Sequence, residues 1–177
     1  MSYEYLFAGL PELHASQPAP ITLEALEELL EEQLSQADKE QLRLLKLRAS
    51  TGVCPFIKEW QAFDRALNNT LTAEICRKHG LNIREHILGE MPDDVDKDVI
   101  AVSKIDNLYE RERAIDALRF AWLEEYTQFA FFNLDMVLAY YLELQMLLRW
   151  DILTTEHGEQ VFRQMVAELK KGVHLDV

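Results

Sequence analysis

Apolar residues recur every three or four positions along most of this chain, the pattern of helices that each bury one face. Leu23, Leu26, Leu29, Leu30 and Leu34 make the first stripe, with Glu24, Glu27, Glu28, Glu31 and Glu32 on the other face and Thr22 placed as a cap. Ser35 with Asp38 three residues on resembles a capping box, Asp standing in for Glu. It opens a second helix carrying Leu42, Leu44, Leu45 and Leu47 to an end near Gly52. The basic residues Lys39, Arg43, Lys46 and Arg48 suit antiparallel packing on the acidic helix, so the pair reads as a helical hairpin. A third helix starts at Pro55, where a missing N–H costs nothing, and follows Phe56, Trp60, Phe63, Leu67, Leu71 and Ile75. Arg77, Lys78 and His79 complement its negative end, and Gly80 terminates it.

The densest apolar stretch is 107–150, which no proline or glycine interrupts. Its second half, 134–150, is apolar on nearly every side, with Asp135, Glu143, Gln145 and Arg149 as the exceptions, and this predicts a buried helix. Asn133 or Asp135 starts that second segment. A last amphipathic helix is expected from Thr154 and Thr155 through Val161, Phe162, Met165, Val166 and Leu169 to Gly172, with a frayed tail after it. At the other end, the aromatic stretch 1–10 is expected to be a strand or extended segment closed by Pro11, followed by a polyproline-like connector at Pro18-Ala19-Pro20. The stretch 81–98 is the least regular, a short turn over 82–88 leading to an acidic loop with Asp93, Asp94, Asp96 and Asp98. The expected fold is all-α: an irregular bundle of five to six helices with a short extended amino-terminal segment. It forms a single helical domain over 1–177, with the acidic loop 90–98 dividing amino-terminal helices in 1–90 from carboxy-terminal helices in 99–172.

Charge narrows the partners. The formal net charge of −13 repels nucleic acid, which is bound through clustered Lys and Arg, and it disfavours anionic membrane surfaces. Solubility explains such a charge, and a basic protein partner is the other reading. Cys54 and Cys76 are the only cysteines and form no C-x-x-C pair, no leader pattern opens the chain, and no apolar run reaches membrane-spanning length. A cytoplasmic protein without direct membrane insertion is expected, of undetermined oligomeric state.

Candidate chemistry is sparse. None of the five histidines has Glu three residues before it, the spacing a di-iron bundle requires. His79 and His86 would align on one helix, but Gly80 interrupts it, so neither metal nor cofactor is expected. No G-x-S-x-G elbow or glycine-rich phosphate loop exists. Cys54 lies near a helix start, where the dipole lowers a thiol's pKa, although a lone, partly buried cysteine is ordinarily inert. The charges set in apolar helices remain. Asp135 and Arg149 lie 14 residues apart, Asp64 and Arg77 lie 13 apart, and a structural role at helix ends is expected for each. Asp93, Asp94, Asp96 and Asp98, with the 24–32 glutamate face, are candidate contacts for a basic partner, against the simpler reading of solvated surface.

Two stretches, FIKEWQAFDRALNNTLTAEICRKHG over 56–80 and YTQFAFFNLDMVLAYYLELQMLLRW over 126–150, look like copies of one unit: aromatics, an Asp, a long apolar helix and a closing Arg. This unit is similar to the helical repeat in the C-type stalk subunit of V/A-type rotary ATPases. With the opening MSYEYLFAGLP, the two segments resemble a small bacterial family of V-type ATPase-associated proteins, encoded beside the rotary subunits where the C-type stalk subunit would be expected. The resemblance implies a non-catalytic helical protein at the junction of the central stalk and the membrane rotor, with other V-type ATPase subunits as partners. Carried over, Asp64, Arg77, Asp135 and Arg149 would fix helices rather than catalyse. The rival expectations are a general interaction adaptor and an enzyme whose site is assembled from distant side chains.

Overall fold

The computed structural model describes residues 3–15, 17–90 and 97–153, and over these the chain is all-helical, with no strand among the described residues. Seven helices follow in order: α1 (Glu4–Gly9), α2 (Leu23–Gln33), α3 (Gln36–Lys46), α4 (Pro55–His79), α5 (Lys97–Ser103), α6 (Leu108–Thr127) and α7 (Leu134–Ile152). A single 3₁₀ turn, Ile83–Glu85, follows α4.

Helix α7 is the post of the main core, which α1, α2, α3, α4 and α6 share with it. Five consecutive residues, Val137, Leu138, Ala139, Tyr140 and Tyr141, are all buried, followed by Leu144 and Leu147, so the helix is covered on several sides as its apolar run predicts. The α2–α3 hairpin packs against it as expected. Leu26 and Leu30 of α2 and Leu42 and Leu45 of α3 enter the core, while Lys39–Glu31 (2.8 Å) and Lys46–Glu27 (2.7 Å) bridge the two helices outside it. Tyr141 reaches the same Glu27 carboxylate, donating at 3.0 Å. On another side Phe56, Trp60 and Phe63 of α4 meet Trp122 and Tyr126 of α6 in a run of ring contacts, closest at Trp122–Tyr126 (5.0 Å) and Phe63–Trp122 (5.1 Å).

Caps mark the boundaries where sequence places them. Thr22 and Ser35 accept from the amides of Ala25 and Asp38, Pro55 takes the first position of α4, and Gly80 ends it at φ 66°. Asn133, rather than Asp135, caps α7 by accepting from the Met136 amide. The box at Ser35 is completed from outside: the Tyr3 hydroxyl donates to Asp38 and accepts from the Ser35 amide at 3.5 Å.

Three boundaries differ from expectation. The opening stretch coils into α1 instead of a strand, because Tyr3, Leu6, Phe7 and Leu10 are spaced for a helix face that the core can cover. The extended segment begins only at Leu10. The amino-terminal stretch as a whole follows α7 in the same direction: the Tyr3 amide donates to the Phe132 carbonyl (2.6 Å), Tyr140 to the Pro11 carbonyl (2.8 Å), and the Ala19 amide to the Asp151 carboxylate (3.0 Å). Helix α3 stops at Lys46, and Arg48 (φ 51°) and Gly52 (φ 74°) turn the chain towards α4. Finally, Asp98 lies in the first turn of α5 rather than in a loop. Val99 and Val102 of that helix join Leu67 of α4 and Ile115 of α6 in a second, smaller core. The helix expected over 154–172 lies outside the described residues, as do Asp93, Asp94 and Asp96. No helix among the described residues is long and apolar enough to cross a membrane.

Candidate functional site

Helices α6 and α7 join through the turn 128–133 and run antiparallel, which brings the start of α6 beside the end of α7. Asp116, only 3% exposed, faces that end. Its carboxylate accepts from Trp150 Nε1 (2.7 Å), from Arg149, and from Arg119 at 3.0 Å. Arg119 turns its other side to Asp64 of α4, donating from Nε at 2.9 Å. The result is one ionic chain, Asp64–Arg119–Asp116–Arg149, stitched across α4, α6 and α7. Burial works against the Arg119 charge, but Asp64 and Asp116 outweigh it and hold the guanidinium above its ordinary pKa. Over the outer end of the chain, Arg113 lies 4.8 Å and Arg149 5.2 Å from the Trp150 ring centre, and Tyr109 meets the same ring edge-on at 5.3 Å.

This arrangement holds helices. Both Asp116 oxygens are occupied by cationic or indole donors, so neither is placed to take a proton from a substrate. Among the described residues no three His, Cys, Asp or Glu side chains group so as to hold a metal ion. The Cys54 thiol at the start of α4, where the helix dipole alone would lower its pKa, is pushed up by burial and by Asp135.

The residues singled out from sequence separate in space. Asp64 and Arg149, one from each of the two similar stretches, belong to the same ionic chain. Arg77 does not: it pairs with Glu74 one turn back on the surface of α4. Asp135 stands at the far end of α7, where burial and then Glu59 push its carboxyl above the usual range. The glutamate face of α2 is partly engaged within the molecule, since Glu27 and the exposed Glu31 pair with the lysines of α3, while Glu24, Glu28 and Glu32 are exposed as well. Asp116 and Arg119 were not among the expected residues. Their signal was present, an Asp and an Arg three apart in the apolar segment AIDALRF of α6, but a lone charge in a helix does not announce its partner.

A further, half-buried carboxylate has no ion-pair partner among the described residues. Glu143, in the middle of α7, is pushed up to about 7, chiefly by burial and then by Glu124 of α6. At the α6–α7 turn, Phe132 adopts φ 46°, a left-handed conformation that costs a bulky residue about 1–3 kcal/mol.

Among the described residues the fold is an all-helical bundle braced by an internal ionic chain. The chain belongs to the family described as Protein of unknown function (DUF2764), whose match spans residues 83–173 and so takes in Asp116, Arg119, Arg149 and Trp150. No curated protein and no solved structure matches it.

Proposed function

We propose that the protein is a non-catalytic structural or coupling subunit, or an assembly factor, of a V-type rotary ATPase, similar in role to the C-type stalk subunit. The observation that carries this reading is the ionic chain. Asp64 and Arg149 are positions at which the two similar stretches match the repeat of that stalk subunit, and each is held to its neighbour helix through Arg119 and Asp116. A helix-fixing role is what the resemblance implies for these positions, and the contacts support that reading. The carboxylate at the centre is saturated by donors, which favours bracing over catalysis. Attachment to a membrane complex would be peripheral, through protein contacts. A general adaptor unrelated to ATPases would use the same scaffold, and one experiment separates the two. The full chain, tagged and purified under mild conditions from its native cells, is expected to bring down rotary ATPase subunits in near-stoichiometric amount. A stable complex that lacks them, or recovery of the protein alone, overturns the proposal.

A further inference from the structure

One end of the bundle carries an aromatic surface that is exposed among the described residues. In the turn between α6 and α7, Phe129 is 80% and Phe131 82% exposed. Tyr5, at 92%, lies two residues from Tyr3, whose amide is tied to the Phe132 carbonyl of the same turn. Scattered exposed apolar residues are ordinary, but several large aromatics at one corner are the composition of an interface. The turn is also the place where Phe132 is held at positive φ, so the strained backbone and the exposed rings coincide.

Charge at this end selects the occupant. Glu59 of α4 and Asp135 of α7 stand near enough to Tyr126 that both add to the rise in its pKa that burial begins, and among the described residues neither has an ion-pair partner. Glu125 is exposed in the last turn of α6. Helix α6 carries no basic residue in its last turn, so no side-chain cation there offsets its negative end. A second copy of this chain would set these carboxylates against their own images, and an anionic lipid surface would be repelled. We infer that the α6–α7 corner docks a cationic amphipathic segment of a partner protein, whose apolar side chains cover Phe129, Phe131 and Tyr5 while its Lys or Arg residues meet Glu59, Asp135 and the end of α6. This deepens the proposed holding role and rests on it for the partner's place in a complex, though not for the contact itself.

The probe is a synthetic amphipathic Leu/Lys helix of about 18 residues, with a Leu/Glu peptide of the same pattern for comparison, titrated against the full chain by fluorescence anisotropy. The Leu/Lys peptide is expected to bind and the Leu/Glu peptide not. The Phe129→Ser/Phe131→Ser variant is expected to raise the Kd about tenfold or more, as for loss of central anchors. Glu59→Gln/Asp135→Asn should weaken binding several-fold, while Glu28→Gln/Glu32→Gln on α2 leaves it unchanged. Thermal melts of each variant establish that the fold is retained. Binding indifferent to the phenylalanine substitutions, or equally weakened by the α2 variant, overturns the inference. So does self-association in sedimentation that the phenylalanine variant abolishes, or tighter binding to phosphatidylserine vesicles than to the peptide. If rotary ATPase subunits co-purify with the phenylalanine variant as with the parent, this surface is refuted and the proposed function stands. If they never co-purify but the peptide results hold, the reverse follows.

Discussion

Glu143 holds a proton at a pH where a solvated glutamate has lost it. Its folded pKa of about 7 lies above the ordinary 4.5, so between those values the unfolded chain releases a proton that the folded chain keeps. The consequence has a definite sign. Below about pH 4.5 both states are protonated and Glu143 contributes no penalty, and stability then falls as pH rises towards 7. Glu143→Gln removes the ionisation. It is expected to stabilise the protein at pH 8 by on the order of 1–3 kcal/mol, allowing for residual solvent, and to have little effect at pH 4. Urea unfolding at the two pH values measures this, and an equal shift at both would show that burial of the charge is not the cause. Asp116 gives the opposite case, a buried charge with its partners in place. Asp116→Asn leaves Arg119 and Arg149 facing a neutral amide and is expected to cost about 3 kcal/mol or more by chemical denaturation. A loss below about 1 kcal/mol would mean the ionic chain braces nothing.

At the level of elements, the post and its neighbours are unequal partners. Leu138 of α7 is fully buried, and Leu138→Ala is expected to lower stability by about 2–5 kcal/mol. Trp122 of α6 is only partly buried but touches Phe56, Trp60, Phe63 and Tyr126, so Trp122→Ala is expected in the same range, through lost ring contacts as well as area. A near-parental melting temperature for either would place the core elsewhere. Helix α5 sits at the other extreme. Seven of its residues are described, and of these Val99 and Val102 are buried in a core that is separate from the main one. Two buried side chains give such a segment little to hold it. Its amides are therefore expected to exchange with solvent deuterium orders of magnitude faster than those of the centre of α7. Equal protection in the two would show that the smaller core opens only with the whole molecule.

Across the whole molecule, the described residues form a main core around α7 and a smaller one between α4, α5 and α6, with the ionic chain spanning α4, α6 and α7. Helices α2, α3, α4, α6 and α7 were legible from sequence because each is long enough to show its apolar pattern and has a boundary signal of its own: a capping side chain at α2, α3, α6 and α7, and Pro55 with Gly80 at α4. The α2–α3 pairing was legible too, since its opposite charges lie on consecutive helices. Helices α1 and α5 were not, because six or seven residues hold only two or three apolar positions, which suit a turn or strand as well as a helix until a neighbour covers them. The site was legible only by halves. Asp64 and Arg149 could be picked out as charges in apolar surroundings, but the residues that join them, Arg119 and Asp116, lie 55 and 33 positions away along the chain. Local periodicity and capping, which act over a few residues, determined the helical class, most helix boundaries and the buried character of α7. The tertiary packing alone decided which charges meet and which carboxylates stay unpaired, and it left an aromatic corner bare. Those outcomes depend on distances between helices, and no spacing along a single helix encodes them.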